Sequence, residues 1–315
     1  MSPPRPAAGK TARLANPNIS VLDSTALYVF SAPGTEARGR APLWNECRRD
    51  RPLQCLEVVS HSDASIEVEV GGAGRRVIDL RDGEGLRELF RPRPKSYLDI
   101  SGVPHHVWAP LLRAGLEVCD GLVAVYTEPA VYKRHTSPTS RGEYDLSEGF
   151  RGIAPLPGFA NLRGPKDEKD AVLVSFLGFE GRRASYVALA LDPVPKVCAV
   201  VGVPGFRAEY PQITFASNAE FLGDSRAYAS VRMAMASCPF EAFDTLTDIQ
   251  RDRSGRYMYI APIGTKPHAL GAVCYVLKHP ESTEIMYDNP IRKPGRTEGI
   301  GLVHFYTLKP SYVVS

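Results

Sequence analysis

The chain has 315 residues, 43% hydrophobic, 23% charged and 9% aromatic, with a formal net charge of +3. That length suits one large or two small globular domains, and so small a charge gives no ground for a nucleic-acid or membrane-surface partner. No apolar run reaches the length of a membrane span, and six scattered cysteines without a C-x-x-C pair argue against a zinc site or disulfide framework, so a reducing cytoplasm fits.

Residues 1–20, "MSPPRPAAGKTARLANPNIS", are rich in Pro, Ala and basic residues and lack an apolar core. They predict a disordered tail rather than a signal peptide. From "ALYVFSAPG" onward, strand-like text alternates with loops. "CLEVVSHSDASIEVEVGGAGRRVIDL" reads as strands around a Gly71–Gly74 turn. A strand rather than a helix follows those glycines, which predicts a hairpin and not a phosphate loop.

Three later segments, 96–129, 171–205 and 257–290, each read strand, turn, helix, strand. In the second, Ala184, Val187, Ala188 and Leu191 repeat at helical spacing; in the third, Leu270, Val273, Cys274 and Leu277 do so. One interval separates Ser101 from Tyr126, Phe176 from Val201 and Pro262 from Tyr287. Continuous apolar strands beside amphipathic helices indicate parallel βαβ units with both sheet faces covered. The predicted fold is α/β and Rossmann-like: a mainly parallel central sheet with helices on both faces, in two related halves. The long polar stretches 133–170 and 205–228 read as lids or linkers. A boundary near residue 150 divides an N-terminal half, 21–150, from a C-terminal half, 151–315.

Ligands of open parallel sheets collect at the carboxyl ends of strands. The first unit offers Asp99, Ser101, His105 and His106 there, with Tyr126 and Glu128 on the returning strand. The second offers Glu180, Arg182 and Arg183. The third offers Gly264, Thr265, Lys266 and His268, with Tyr287 and Asp288 returning. In "PIGTKPHALG", Gly264 permits a sharp turn, Thr265 can cap the next helix and Pro267 fits its first turn. Free N–H groups and the positive helix end would then favour an anion, with Lys266 as a mobile charge. The plainer alternative is a capped turn with Lys266 in solvent. Arg182 and Arg183 oppose the dipole at the start of their helix, which calls for an anionic ligand or a nearby acid. Asp99, Glu128, Glu180 and Asp288, converging on one sheet edge, support a rival reading. A buried Glu128 or Glu180 would then be the acid, base or nucleophile of an enzyme cleaving glycosidic or phosphodiester bonds of nucleotides. The histidines show no metal spacing, and no cofactor is expected.

The strand, Gly264-Thr265-Lys266 and apolar helix resemble the Gly-Thr-Lys turn of the CRISPR-associated Rossmann-fold (CARF) sensors, which bind cyclic oligoadenylates. The resemblance covers the C-terminal part of the chain and implies that Thr265 and Lys266 contact phosphate. Ile263-Gly264 stands where that family has a doubled glycine, and neither an R-x-x-x-x-H ribonuclease motif nor a D…E-x-K nuclease segment is present. What the resemblance implies is a cytoplasmic regulatory protein of prokaryotic defence that binds a phosphorylated nucleotide. Its expected partners are a separate effector subunit and a second copy of itself, with no membrane. An accessory subunit that only binds protein is the third class.

Overall fold

A computed structural model describes residues 10–31, 36–72, 74–139, 142–161, 164–165 and 171–309. The chain divides into two compact units, one running to Tyr132 and resuming at Thr297, the other spanning Lys133–Arg296. The division therefore falls at Tyr132 rather than near residue 150, and the end of the chain returns to the first unit.

The first unit begins with β1 (Thr11–Leu14), β2 (Leu27–Ser31) and α1 (Pro42–Asp50). It continues through β3 (Cys55–His61), β4 (Ser65–Val70), β5 (Arg75–Asp79) and α2 (Gly83–Phe90). β6 (Lys95–Asp99), α3 (His105–Val118), β7 (Gly121–Thr127) and the short β8 (Val131–Tyr132) complete its first passage. β1 lies inside the expected tail. The part of that tail beyond its reach, residues 1–9, is outside the described residues. β4 and β5 pair antiparallel around Gly71, Gly72 and Gly74, all at positive φ, which glycine adopts without steric cost.

The second unit opens with β9 (Arg134–Thr139), β10 (Gly142–Tyr144) and β11 (Ser147–Phe150). Then follow β12 (Val172–Phe176), α4 (Gly181–Leu189), β13 (Lys196–Gly202), α5 (Tyr210–Ser217) and α6 (Ala219–Asp224). The expected loop at 205–228 is thus largely helical, because Tyr210, Phe221, Leu222 and Ala227 are buried. β14 (Arg232–Ala234), α7 (Pro239–Asp252), β15 (Met258–Pro262), α8 (Lys266–Lys278), β16 (Thr283–Ile285) and β17 (Pro290–Arg292) finish the unit. The start of the expected 133–170 linker is also ordered: β9 pairs with β10, and β11 pairs with β17.

β18 (Thr297–Glu298) and β19 (Val303–Leu308) bring the chain back. The eight-stranded sheet of the first unit runs β1-β19-β7-β6-β2-β3-β4-β5. Its centre, β7-β6-β2-β3, is parallel and both flanks are antiparallel. The second unit holds a five-stranded sheet in the order β14-β13-β12-β15-β16, parallel throughout. The single mainly parallel sheet expected from the sequence is therefore two sheets, one mixed and one parallel. β7 alternates, turning Val123 and Val125 toward a cluster with Trp44 of α1, while Leu122 meets Gly115 of α3 on the other face. In the second unit, Leu173, Ala199 and Ala261 pack with Ala184, Val187 and Leu222 on one face. On the opposite face Phe176 meets His268 of α8.

α7 and α8 cross where Gly271 removes a side chain. A β-carbon there would stand 2.2 Å from the Pro239 carbonyl oxygen. Gly271→Ala is expected to destabilise the protein by about 1–3 kcal/mol, although alanine is the better helix former. Denaturant unfolding checks this, and an unchanged or raised midpoint would show that the helices can part without strain.

Candidate functional site

In the five-stranded sheet the strand order reverses between β12 and β15. The chain steps outward one way through β13 and β14, then returns to the centre for β15 and steps outward through β16. In open parallel sheets such a reversal leaves the adjacent strand-to-helix turns facing the same side. Here those turns are Leu177–Glu180 and Ile263–Thr265, and they meet backbone to backbone. A β-carbon on Gly178 would lie 3.1 Å from the Ile263 carbonyl oxygen, and one on Gly264 would lie 2.9 Å from that of Leu177. Only glycine allows this contact.

Thr265 is the N-cap of α8. Its hydroxyl accepts from the His268 N–H at 3.3 Å and donates its one proton to the Ala236 carbonyl at 2.6 Å, which leaves it no donor for a ligand. Lys266 is only 6% exposed and is not a mobile surface charge. Among the described residues the main-chain N–H groups of Gly264 and Thr265 donate to nothing, and neither do those of Gly181 and Arg182 at the start of α4. Two helix N-termini thus present free donors on either side of the reversal.

The two arginines separate. Arg182 is exposed and forms no ion pair among the described residues. Arg183 is buried and makes a two-pronged bond to Asp288, both contacts at 2.7 Å, with Glu180 3.8 Å away. Burial alone would pull the Arg183 guanidinium down, but the hydrogen bonds and charge of Asp288 outweigh it and hold Arg183 more basic than usual. Arg183 and Asp288 are accordingly a structural pair, not free ligand contacts. The helical spacing carried this signal: Arg183 lies one turn from Val187 on the buried face, Arg182 one turn from exposed Tyr186. Tyr287 is buried next to the pair, and its phenol is pushed up by burial.

Glu180 is equally committed. Its carboxylate accepts from the Leu146 and Ser147 N–H groups at 3.0 and 2.9 Å and from the Ser147 hydroxyl at 2.9 Å, pinning the start of β11. These three bonds give the carboxylate a structural role at this turn. The other candidates belong to the eight-stranded sheet, so the four acids do not converge on one sheet edge. Asp99 accepts from the Trp44 indole and the Ser101 N–H. The Ser101 hydroxyl accepts the Thr127 N–H at 2.8 Å, tying β6 to β7. His105 is buried in the first turn of α3 against Trp108. Glu128 pairs with His304 of β19.

Sequence reasoning missed one cluster here. Arg38 is buried with Glu36, bonded at 2.6 Å, and donates to the Tyr126 hydroxyl at 3.1 Å; Thr297 donates to the same glutamate. Burial opposes the Arg38 charge, but Tyr126 and Glu36 outweigh it and keep Arg38 strongly basic, while burial pushes the Tyr126 phenol upward. The sequence signal was slight: an acid and a base two residues apart, Glu36 and Arg38, a short way beyond the apolar strand β2. The groove lined by Arg134, Glu143, Glu209 and Gln212 takes in none of the candidate residues.

Among the described residues no group of three or more His, Cys, Asp or Glu is placed to hold a metal ion, and no helix is long and apolar enough to cross a membrane. No protein-family model matches the chain. No curated protein is significantly similar to it in sequence.

Proposed function

We propose that the second unit is a Rossmann-like binding module for a phosphorylated nucleotide, seated over the reversal between β12 and β15. One observation carries this reading. The free N–H groups of Gly181, Arg182, Gly264 and Thr265, at two helix N-termini, flank the turn contact together with the exposed Arg182. Lys266 adds positive charge from within the first turn of α8. The Thr265 hydroxyl is engaged elsewhere, so the phosphate contact falls to main-chain donors, Arg182 and Lys266. Glu180, Asp288 and Asp99 are held in internal bonds, which favours recognition over acid–base chemistry at these positions. The nucleotide-processing alternative rests on the Glu128–His304 pair of the first unit. The resemblance of the Gly264-Thr265-Lys266 turn to CARF sensors adds a regulatory role in prokaryotic defence, acting through a separate effector subunit.

Calorimetric titration with a panel of linear and cyclic adenine nucleotides tests the proposal. Arg182→Ala and Lys266→Ala are each expected to weaken binding about tenfold or more, the scale of a charge-assisted hydrogen bond. Lys196→Ala, exposed at the amino end of β13, should leave binding unchanged. Equal affinities across the three variants would refute the site. Chromatography of the same mixtures tests the alternative, since a product lost in Glu128→Gln would favour the enzyme.

A further inference from the structure

His268 occupies the first turn of α8, three residues after the Thr265 cap, and is fully buried. Its Nε2 lies 3.1 Å from the Met235 carbonyl oxygen. A carbonyl only accepts, so Nε2 carries the proton. Burial lowers the imidazole to about 4, and the ring is neutral near pH 7. Nδ1 is therefore a bare lone pair, and no described group donates to it. Buried acceptors without partners are uncommon and costly.

The lone pair faces the turn. A β-carbon on Gly264 would stand 3.5 Å from Nδ1, and one on Gly202 would stand 3.5 Å from the adjoining Cε1. Glycine at both positions lets the main chain come close to the ring. Nδ1 thus lies directly behind the residue whose free N–H belongs to the anion site. A lone pair repels a phosphate oxygen but accepts a hydroxyl. The group that satisfies it is an O–H a few bonds from the phosphate, as a ribose hydroxyl is; a nucleobase amine is much farther away.

We propose that His268 Nδ1 accepts a sugar hydroxyl of the ligand whose phosphate binds the Gly264–Lys266 turn, making His268 the residue that selects hydroxylated over deoxygenated sugar phosphates. This rests on the phosphate site argued above. The turn covers Nδ1 in the free protein, so the bond forms as the turn shifts on ligand arrival, a movement that a residue without a β-carbon permits.

The test uses the full chain with AMP, 2′,3′-dideoxy-AMP and pyrophosphate as probes. Wild type is expected to bind AMP about tenfold more tightly than the dideoxy analogue, the effect of one buried hydrogen bond. His268→Gln, which keeps a donor toward Met235 but no acceptor at Nδ1, should weaken AMP alone and erase the difference. His268→Asn places an amide oxygen near Nδ1 and should retain part of it. Independently of any variant, the nitrogen-15 resonance of His268 Nδ1 in wild type should move on adding AMP and stay still with the dideoxy analogue. Equal binding of AMP and its analogue by wild type, with pyrophosphate also bound, would overturn the role of His268 and leave the phosphate site standing. Binding of none of the three probes would overturn both.

Discussion

Asp288→Asn should destabilise the protein by about 3–5 kcal/mol, the cost of leaving a buried guanidinium without its carboxylate. Asparagine matches aspartate in size, so the loss reports charge and not volume. Arg183 makes both of its short bonds to this one side chain, and Asp288 is fully buried. The nearby Glu180 cannot take over, because its oxygens already serve Leu146 and Ser147. The paired change Arg183→Met with Asp288→Leu should cost much less than the two single changes added together. Urea unfolding of wild type, Asp288→Asn, the two single changes and the paired change decides it, and a loss below about 0.5 kcal/mol for Asp288→Asn would contradict a stabilising pair. Of the two answers the sequence allowed for these arginines, an anionic ligand or a nearby acid, Arg183 has the acid. Removing Arg182 and Arg183 together is expected to destabilise, since only Arg182 stands unanswered at the helix end.

Stability should fall as pH drops from about 6.5 to about 4, by about 3 kcal/mol from His268 alone. Burial lowers this histidine in the folded state, so the unfolded chain binds its proton first. Across that window the unfolded state carries more protons, and stability rises with pH; below about 4 both states are charged and the dependence ends. His279, also lowered by burial, acts in the same direction. Asp23 is held at about 2, first by the Thr25 N–H, so its contribution is lost only below the normal aspartate range and does not overlap. Unfolding free energies measured between pH 4 and 7 should flatten in His268→Gln. An unchanged slope in that variant would remove His268 as the source.

How much of this was legible depended on whether a property is local. The three βαβ units were readable because each carries its own apolar period and its own turn, and β6-α3-β7, β12-α4-β13 and β15-α8-β16 form with parallel neighbours. Thr265 as a cap is equally local. β1 was not readable, because its residues are mostly exposed on a sheet edge and leave no alternation in "TARL". α5 and α6 hid behind Pro211, Ser217, Asn218 and Gly223, which interrupt the helical period although Phe221 and Leu222 are buried. Strand order lies beyond any local signal. Neither the reversal at β12 and β15 nor the partner of Arg183, far along the chain at Asp288, can be read from one segment. Lys266 illustrates the same limit, since burial of its side chain depends on what packs around α8.

The return of β19 to the first unit bears on the order in which the protein can be made. During synthesis β7 emerges early, but the strand that pairs with it along Val303–Leu308 emerges only after the whole second unit. The second unit is continuous in the chain and can fold on release. The first must wait with one flank of its sheet open, and β1 waits too, because its register partner is β19. Pairings so distant in sequence form slowly, and an open strand edge is a site for intermolecular association. Newly made chains are therefore most vulnerable to aggregation between completion of β7 and arrival of β19.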